Sequence, residues 1–271
     1  MLKRTITGVA LVAVLVVVLL FLPEIFAGLL LSFMVAAAAE ELLRTTGLVT
    51  DMRLVSSACT TAIFIVWLCY AGLPYSYWLA LLLAFTVICF AQVLKSHGQL
   101  PFQQIAITMV AGMLIPFLLS ALVRIRIMEN GRFFIAAPFV MAFMTDTGAY
   151  LIGCAFGKHK LCPIISPKKT VEGLFGGILG GIAGMLVYGL VLQHFFGFTV
   201  NYLFAAIYGV LGAGGATFGD LMFSVIKRQT GMKDYGKLLP GHGGILDRFD
   251  SVTIVAPLAE VLLLILPLAV K

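Results

Sequence analysis

Residues 173–194 read GLFGGILGGIAGMLVYGLVLQH, an uncharged run in which Gly173, Gly177 and Gly181 form one series at i, i+4 and Gly176, Gly180 and Gly184 a second. About 20 predominantly apolar residues suffice for a helix to cross the hydrocarbon core of a bilayer. Small residues repeated at that spacing let helix backbones approach closely in lipid. The other meaning of so many glycines, a nucleotide-binding loop, has no support, because no GxxxxGK[ST] run occurs in the chain. This stretch therefore reads as a membrane-spanning helix packed tightly on its neighbours.

The rest of the chain is of the same kind. Of its 271 residues 61% are hydrophobic and only 11% charged, and the mean hydropathy is +1.09. Soluble domains carry about 25% charged residues, so these charges cannot cover a globular surface. A soluble enzyme and a disordered chain are both excluded. The apolar runs are continuous rather than alternating, which argues against an outer-membrane barrel. Apolar segments are expected to span at 5–22, 25–43, 54–71, 76–94, 101–123, 133–156, 173–194, 202–226 and 250–270. The predicted fold is all-α, a polytopic membrane helix bundle of about nine transmembrane helices, with too few residues left over for a separate soluble domain. Met1-Leu2-Lys3-Arg4 and the apolar run to Leu22 resemble a signal peptide, but the run is long and a second apolar segment follows Pro23-Glu24, so it is expected to be a retained first helix. The five cysteines form no CxxC pair, and neither a disulfide framework nor a zinc site is expected.

With these spans, 14 of the 18 basic residues fall on the side of the N-terminus and 4 on the other. The positive-inside bias places the N-terminus in the cytoplasm, as in a multi-pass cell (inner) membrane protein with its polar face toward the cytoplasm. The net charge of +6 is then membrane anchoring, and nucleic acid is not an expected partner. Arg124, Arg126 and Arg132 break the pattern: either they meet headgroups on the far side or the fifth or sixth span is misplaced. Residues 1–132 carry little chemistry and read as scaffold. Residues 133–271 hold two cytoplasmic loops, 157–172 and 227–249, with 9 of the 14 inside charges.

Asp146, Asp220, Asp247, Asp250 and Glu260 lie within or at the ends of spans, where a carboxylate usually faces a protein interior or a wet cavity. Asp146 reads equally well as a hydrogen-bonded structural residue. Asp220, Ser224 and Lys227/Arg228 share one helical face. Gly209, Gly212, Gly214, Gly215 and Gly219 permit a kink or an unwound turn ahead of Asp220. Asp247 and Asp250 are three residues apart on one face, with ordinary acidity at a helix start as the plainer reading. Glu260 reads as a buried inter-helix hydrogen bond. Lys168-Lys169-Thr170 is expected to open a helix, where phosphate binds well; simple anchoring explains the lysines but not the stiffness of Ser166-Pro167. His242 sits among Pro240, Gly241, Gly243 and Gly244, which let backbone approach a ligand; His97, His159 and His194 have no such setting. Carboxylates suit Mg²⁺ and cations suit phosphates, the equipment for phosphoryl or nucleotidyl transfer at a lipid surface.

Residues 224–250 read SVIKRQTGMKDYGKLLPGHGGILDRFD. With Asp146-Thr147, Ala149-Tyr150, Phe156-Gly157-Lys158 and the run Ser166–Gly173 upstream, this resembles the signature of the phosphatidate cytidylyltransferases, or CDP-diacylglycerol synthases. The likeness covers about 110 residues ending near 250; the first 140 share only their apolar character. It implies a reaction of CTP with phosphatidate giving CDP-diacylglycerol and pyrophosphate, Mg²⁺ as cofactor with a second cation left open, and a homodimer among membrane lipids. The lipid phosphate is already an anion, so the task is to bring two anions together and stabilise spreading charge rather than to remove a proton. The expected catalytic set is Asp220, Asp247, Asp250, Lys227, Arg248 and His242, with Asp220 and Asp247 as the metal ligands. Lys168, Lys169, Ser224, Arg228 and Asp146 are expected to bind substrate. The competing readings are a CTP-dependent lipid kinase of the dolichol-kinase kind and an ion-coupled transporter. A transporter should place its site at the midplane between repeats, whereas no repeat is found here and the charges crowd one face.

Overall fold

A computed structural model describes residues 13–236, 238 and 243–271. Seven helices among them are long and apolar enough to cross a bilayer: α1 (Glu24–Thr45), α2 (Met52–Ala71), α3 (Tyr75–Lys95), α4 (Phe102–Ile127), α5 (Gly131–Phe156), α6 (Val171–Phe196) and α7 (Tyr202–Gln229). The chain is thus an all-α, polytopic membrane protein. The expected span at 5–22 begins outside the described residues and closes in a π-helical turn at Val17–Phe21. The expected last span is a helix, α8 (Leu246–Ile265), which carries Asp247, Arg248, Asp250 and Glu260 and is not among the seven.

The chain divides into two compact units. The first holds the described residues through Glu129 and takes in Gln229–Phe249. Its core is formed where α1 and α2 meet, with Val35, Leu42, Leu43, Leu54, Ala58 and Ala62 fully buried. Asp51 starts α2 by accepting a hydrogen bond from Arg53 N at 2.8 Å, and Gly72 stops it in the left-handed region at φ 58°. Pro74 and Pro101 precede α3 and α4. Most of α3 is exposed, including Leu79, Leu83 and Val87, as suits a helix whose surroundings are lipid tails.

Two arginines of the expected fifth loop are resolved here, and neither needs a headgroup. Arg126 lies on the last turn of α4 and is only 7% exposed. It donates from Nε to Leu19 O at 2.8 Å and from its terminal nitrogens to Leu22 O and Glu24 Oε1, each at 3.1 Å. Arg124 donates to Phe117 O at 3.2 Å and lies 4.7 Å from the Phe117 ring centroid. A guanidinium satisfied on several sides is tolerated at membrane depth. α4 therefore continues to Ile127, further than the expected end at 123.

The second unit comprises Asn130–Arg228 and Asp250–Lys271. Here the glycine series behave as read. Gly176 and Gly180 of α6 meet Gly148 and the Met144 carbonyl of α5 so closely that any Cβ would collide with backbone. The Cβ of an alanine at 181 would fall 2.6 Å from Gly209 O of α7. α7 itself is one unbroken helix, so the unwound turn that its glycines permit before Asp220 does not occur. Gly219 instead admits the backbone of α8, with Asp250 O 2.7 Å from where its Cβ would be.

The loop 157–172 has regular structure of its own. It folds as an antiparallel hairpin of β1 (Lys160–Cys162) and β2 (Ser166–Thr170), pairing Lys160 with Thr170 and Cys162 with Ser166. Lys168 and Lys169 therefore close a strand rather than open a helix. α6 begins one residue after Thr170, whose hydroxyl accepts from Gly173 N at 3.1 Å as N-cap. The proline at 167 and the cap explain the reversal: the backbone stays extended up to the residue that starts the helix. A second small pair, β3 (Thr199–Val200) with β4 (Ala269–Val270), ties the end of the chain to the turn after α6.

Candidate active site

Three helices of the second unit each contribute one carboxylate, and these lie within electrostatic range of one another: Asp146 from α5, Asp220 from α7 and Asp250 from α8. Lys169 reaches in from the end of β2 and forms an ion pair with Asp220 Oδ2, both side chains about one-quarter exposed at 25% and 27%. Ser224, one turn beyond Asp220, donates to Asp220 Oδ1 at 3.4 Å, so the face shared by 220 and 224 is realised. Lys227, a turn further, is near enough to Asp250 to interact with it electrostatically. Arg228 turns toward the hairpin and donates from Nε to Ile165 O at 3.1 Å.

Beside this cluster is a cavity of about 450 Å³ whose lining includes Asp146, Tyr150, Lys160, Lys168, Lys169 and Thr217. Its cationic wall is the hairpin, which is fixed at its base. Glu172, in the first turn of α6, accepts from Lys158 N at 3.1 Å and His159 N at 3.2 Å and pairs with His159 Nδ1 at 2.6 Å. Gly157 and Gly173 press on the Thr170 hydroxyl, at 2.8 and 2.9 Å from where their Cβ atoms would be. Three lysines on a braced strand pair facing a carboxylate can neutralise a polyanion with little reorganisation.

Asp247 and Arg248 belong to the first unit, on the opening turn of α8. The Asp247 carboxylate turns back on the preceding loop and accepts from Tyr235 N at 2.7 Å and Gly244 N at 3.0 Å, both at Oδ2. Gly243 has φ +86°, and a Cβ there would fall 2.8 Å from Asp247 Oδ2, so glycine is required on both counts. Arg248 is exposed. His242 lies outside the described residues.

One residue beside Asp247 in the first unit was not legible in the sequence. Glu41, in the last turn of α1, is 5% exposed. Its Oε1 accepts from Ile245 N and its Oε2 from Leu246 N, each at 2.9 Å. Nothing in the run Ala39-Glu40-Glu41-Leu42 distinguishes it from its neighbour Glu40, which is exposed and pairs with Arg44 at 3.1 Å. The role of His159 as a hairpin brace was likewise not expected.

Oxygen donors are the right chemistry for Mg²⁺, which is usually bound by one or two carboxylates, with waters and substrate phosphates completing its shell. Among the described residues no three His, Cys, Asp or Glu side chains are gathered so as to hold a metal ion unaided. Asp146, Asp220 and Asp250 nevertheless set three carboxylates against two lysines, Lys169 and Lys227, an excess that a divalent ion would offset.

Fold and site together define a polytopic membrane protein with a carboxylate–lysine cluster beside a cationic cavity. The sequence matches the cytidylyltransferase family over residues 2–266, and the chain belongs to that family. It is 46% identical over 136 residues to a phosphatidate cytidylyltransferase of Staphylococcus epidermidis, covering 50% of this chain and 51% of the relative. A phosphatidate cytidylyltransferase of Staphylococcus haemolyticus is 43% identical over 136 residues and one of Staphylococcus aureus 44% identical over 137, each with 50% of this chain and 51% of the relative covered. The chain thus spans about half the length of the curated relatives it matches.

Proposed function

We propose that this protein transfers the cytidylyl group of CTP to phosphatidate, giving CDP-diacylglycerol and pyrophosphate. The observation that carries this reading is the pairing of Lys169 with Asp220 at the edge of the lysine-lined cavity, in a chain of the cytidylyltransferase family. The names of the matched relatives support the choice of substrates. An oxygen of the lipid phosphate attacks the α-phosphorus of CTP, the bond to the β-phosphate breaks, and pyrophosphate leaves; no proton need be removed from the nucleophile.

Lys160, Lys168 and Lys169 hold the phosphates and offset the repulsion between two anionic substrates. Lys227, Arg228 and Arg248 are assigned to the same work by the sequence signature, and His242 to contact with substrate. Ser224 contacts substrate and, through its bond to Asp220, orients that carboxylate. Asp220 and Asp247 are the proposed Mg²⁺ ligands, with Asp146 and Asp250 supporting. When bound, the ion would stabilise charge on the attacking and leaving oxygens. The charge bias supports a site at the cytoplasmic face of the cell (inner) membrane, with phosphatidate entering sideways from the bilayer, and the family resemblance suggests a homodimer.

Turnover of labelled CTP with phosphatidate in detergent, with and without Mg²⁺, tests the proposal. A Mg²⁺-dependent CDP-lipid product is expected. Phosphorylated lipid with release of CDP would establish a lipid kinase instead, and no CTP turnover at all would return the transporter reading.

A further inference from the structure

Gly244 lies between two carboxylates. Its N–H is donated to Asp247 Oδ2 at 3.0 Å, while its Cα faces Glu41 so closely that a Cβ would collide with the Glu41 carboxylate. Gly236 faces the same group, its Cβ position 2.6 Å from Glu41 Oε1. Glu41 in turn grips the next two amides, Ile245 N and Leu246 N, one with each oxygen. Two glycines are thus needed to admit one side chain, and that side chain fixes the two residues immediately ahead of Asp247.

We infer that Glu41 is a positioning residue for Asp247, setting the cation-binding carboxylate of the signature from a helix some 200 residues earlier in the chain. The inference rests on the reading of Asp247 as a Mg²⁺ ligand. Burying a carboxylate is costly unless it is well hydrogen-bonded. Two amides at the start of α8, where the helix dipole is positive, supply those bonds. Glycine gives backbone more conformational freedom than any other residue, and the segment from Gly243 to Asp247 is held by this grip. Partners that orient a metal ligand are typically worth on the order of 10–100-fold in metal affinity.

The test is Glu41→Gln in the full-length protein. The carboxamide keeps one acceptor but turns its NH₂ toward one of the two amides, so the grip is lost with little change in volume. Hydrogen exchange across 243–247 should accelerate, and Mn²⁺ affinity measured by electron paramagnetic resonance should fall on the order of tenfold or more. Turnover should fall at low Mg²⁺ and recover as Mg²⁺ is raised, with KM for CTP at saturating Mg²⁺ within about twofold of wild type. Faster exchange with an unchanged Mn²⁺ titration would overturn the inference by leaving Glu41 a purely structural tie. Unchanged exchange would overturn the grip itself. Should Glu41→Gln not yield folded protein, Gly244→Ala displaces the carboxylate from the other side and Glu41→Asp shortens its reach; the same two readouts then decide. Asp247→Asn is run alongside. If it leaves Mn²⁺ binding intact, the reading of Asp247 fails; if it weakens binding while the Glu41 variants do not, this inference alone fails.

Discussion

Lys169 closes a β-strand and pairs with Asp220, which lies deep along a helix that begins more than thirty residues later. The pair ties the lysine-bearing hairpin to the carboxylate cluster.

Lys169→Ala should lower kcat/KM for CTP on the order of 10²-fold, the usual effect of removing one charge-stabilising donor. Lys168, exposed on the cavity wall, should matter less. Because Lys169 and Asp220 act together, a double mutant with Asp220→Asn should show losses that do not add. Steady-state kinetics on protein of unchanged elution volume would check this; wild-type rates in Lys169→Ala would reduce the lysine to a membrane anchor.

Asp220→Asn and Asp247→Asn keep side-chain size and remove one charge. Each is expected to leave folding intact and to reduce turnover on the order of 10²-fold or more, equivalent to about 3 kcal/mol of transition-state stabilisation. The double mutant should be little worse than either single if both serve one step. Full activity in either variant would remove that residue from the proposed Mg²⁺ ligands.

Gly148→Ala and Gly180→Ala put a methyl group against backbone of the facing helix and should destabilise the α5–α6 contact by about 1–3 kcal/mol, as overpacking commonly does. Gly214→Ala is the control, since nothing lies within 4 Å of its Cβ position; it should be neutral or stabilising by up to about 1 kcal/mol through helix propensity. Thermal unfolding in a fixed detergent would separate the two outcomes.

α6 runs from Val171 to Phe196, 26 residues or roughly 39 Å of helix, enough to carry the chain across a membrane. Single cysteines replacing Lys160 and Gly197 in a cysteine-free background should therefore label from opposite sides, Lys160 from the cytoplasm. Labelling of both from one side would overturn the topology.

What the sequence disclosed and what it withheld follow from the range of the interactions. The spans and the glycine series were legible because burial in lipid and spacing along one helix are local properties. The Asp220–Ser224 contact was legible for the same reason. Arg126 stood out only as an exception to the charge bias, because a count of charges by loop cannot show that a guanidinium is occupied by carbonyls more than 100 residues away. Lys168 and Lys169 were misplaced by one element because a lysine pair before a helix looks alike whether the backbone ahead of it is extended or helical; Pro167 and the Thr170 cap settle it. Glu41 was silent because its only distinction from Glu40 is which way it faces, and that is set by packing.

The Arg126 contacts also bear on the order in which the protein is made. The carbonyls of Leu19 and Leu22 that end the entry segment find this donor 107 and 104 residues downstream. At about 5–20 residues per second, roughly 5–20 s of synthesis separate them. Through that interval the two carbonyls need other partners, so the contact that seats Val17–Leu22 against Arg126 forms only after α4 has been synthesised.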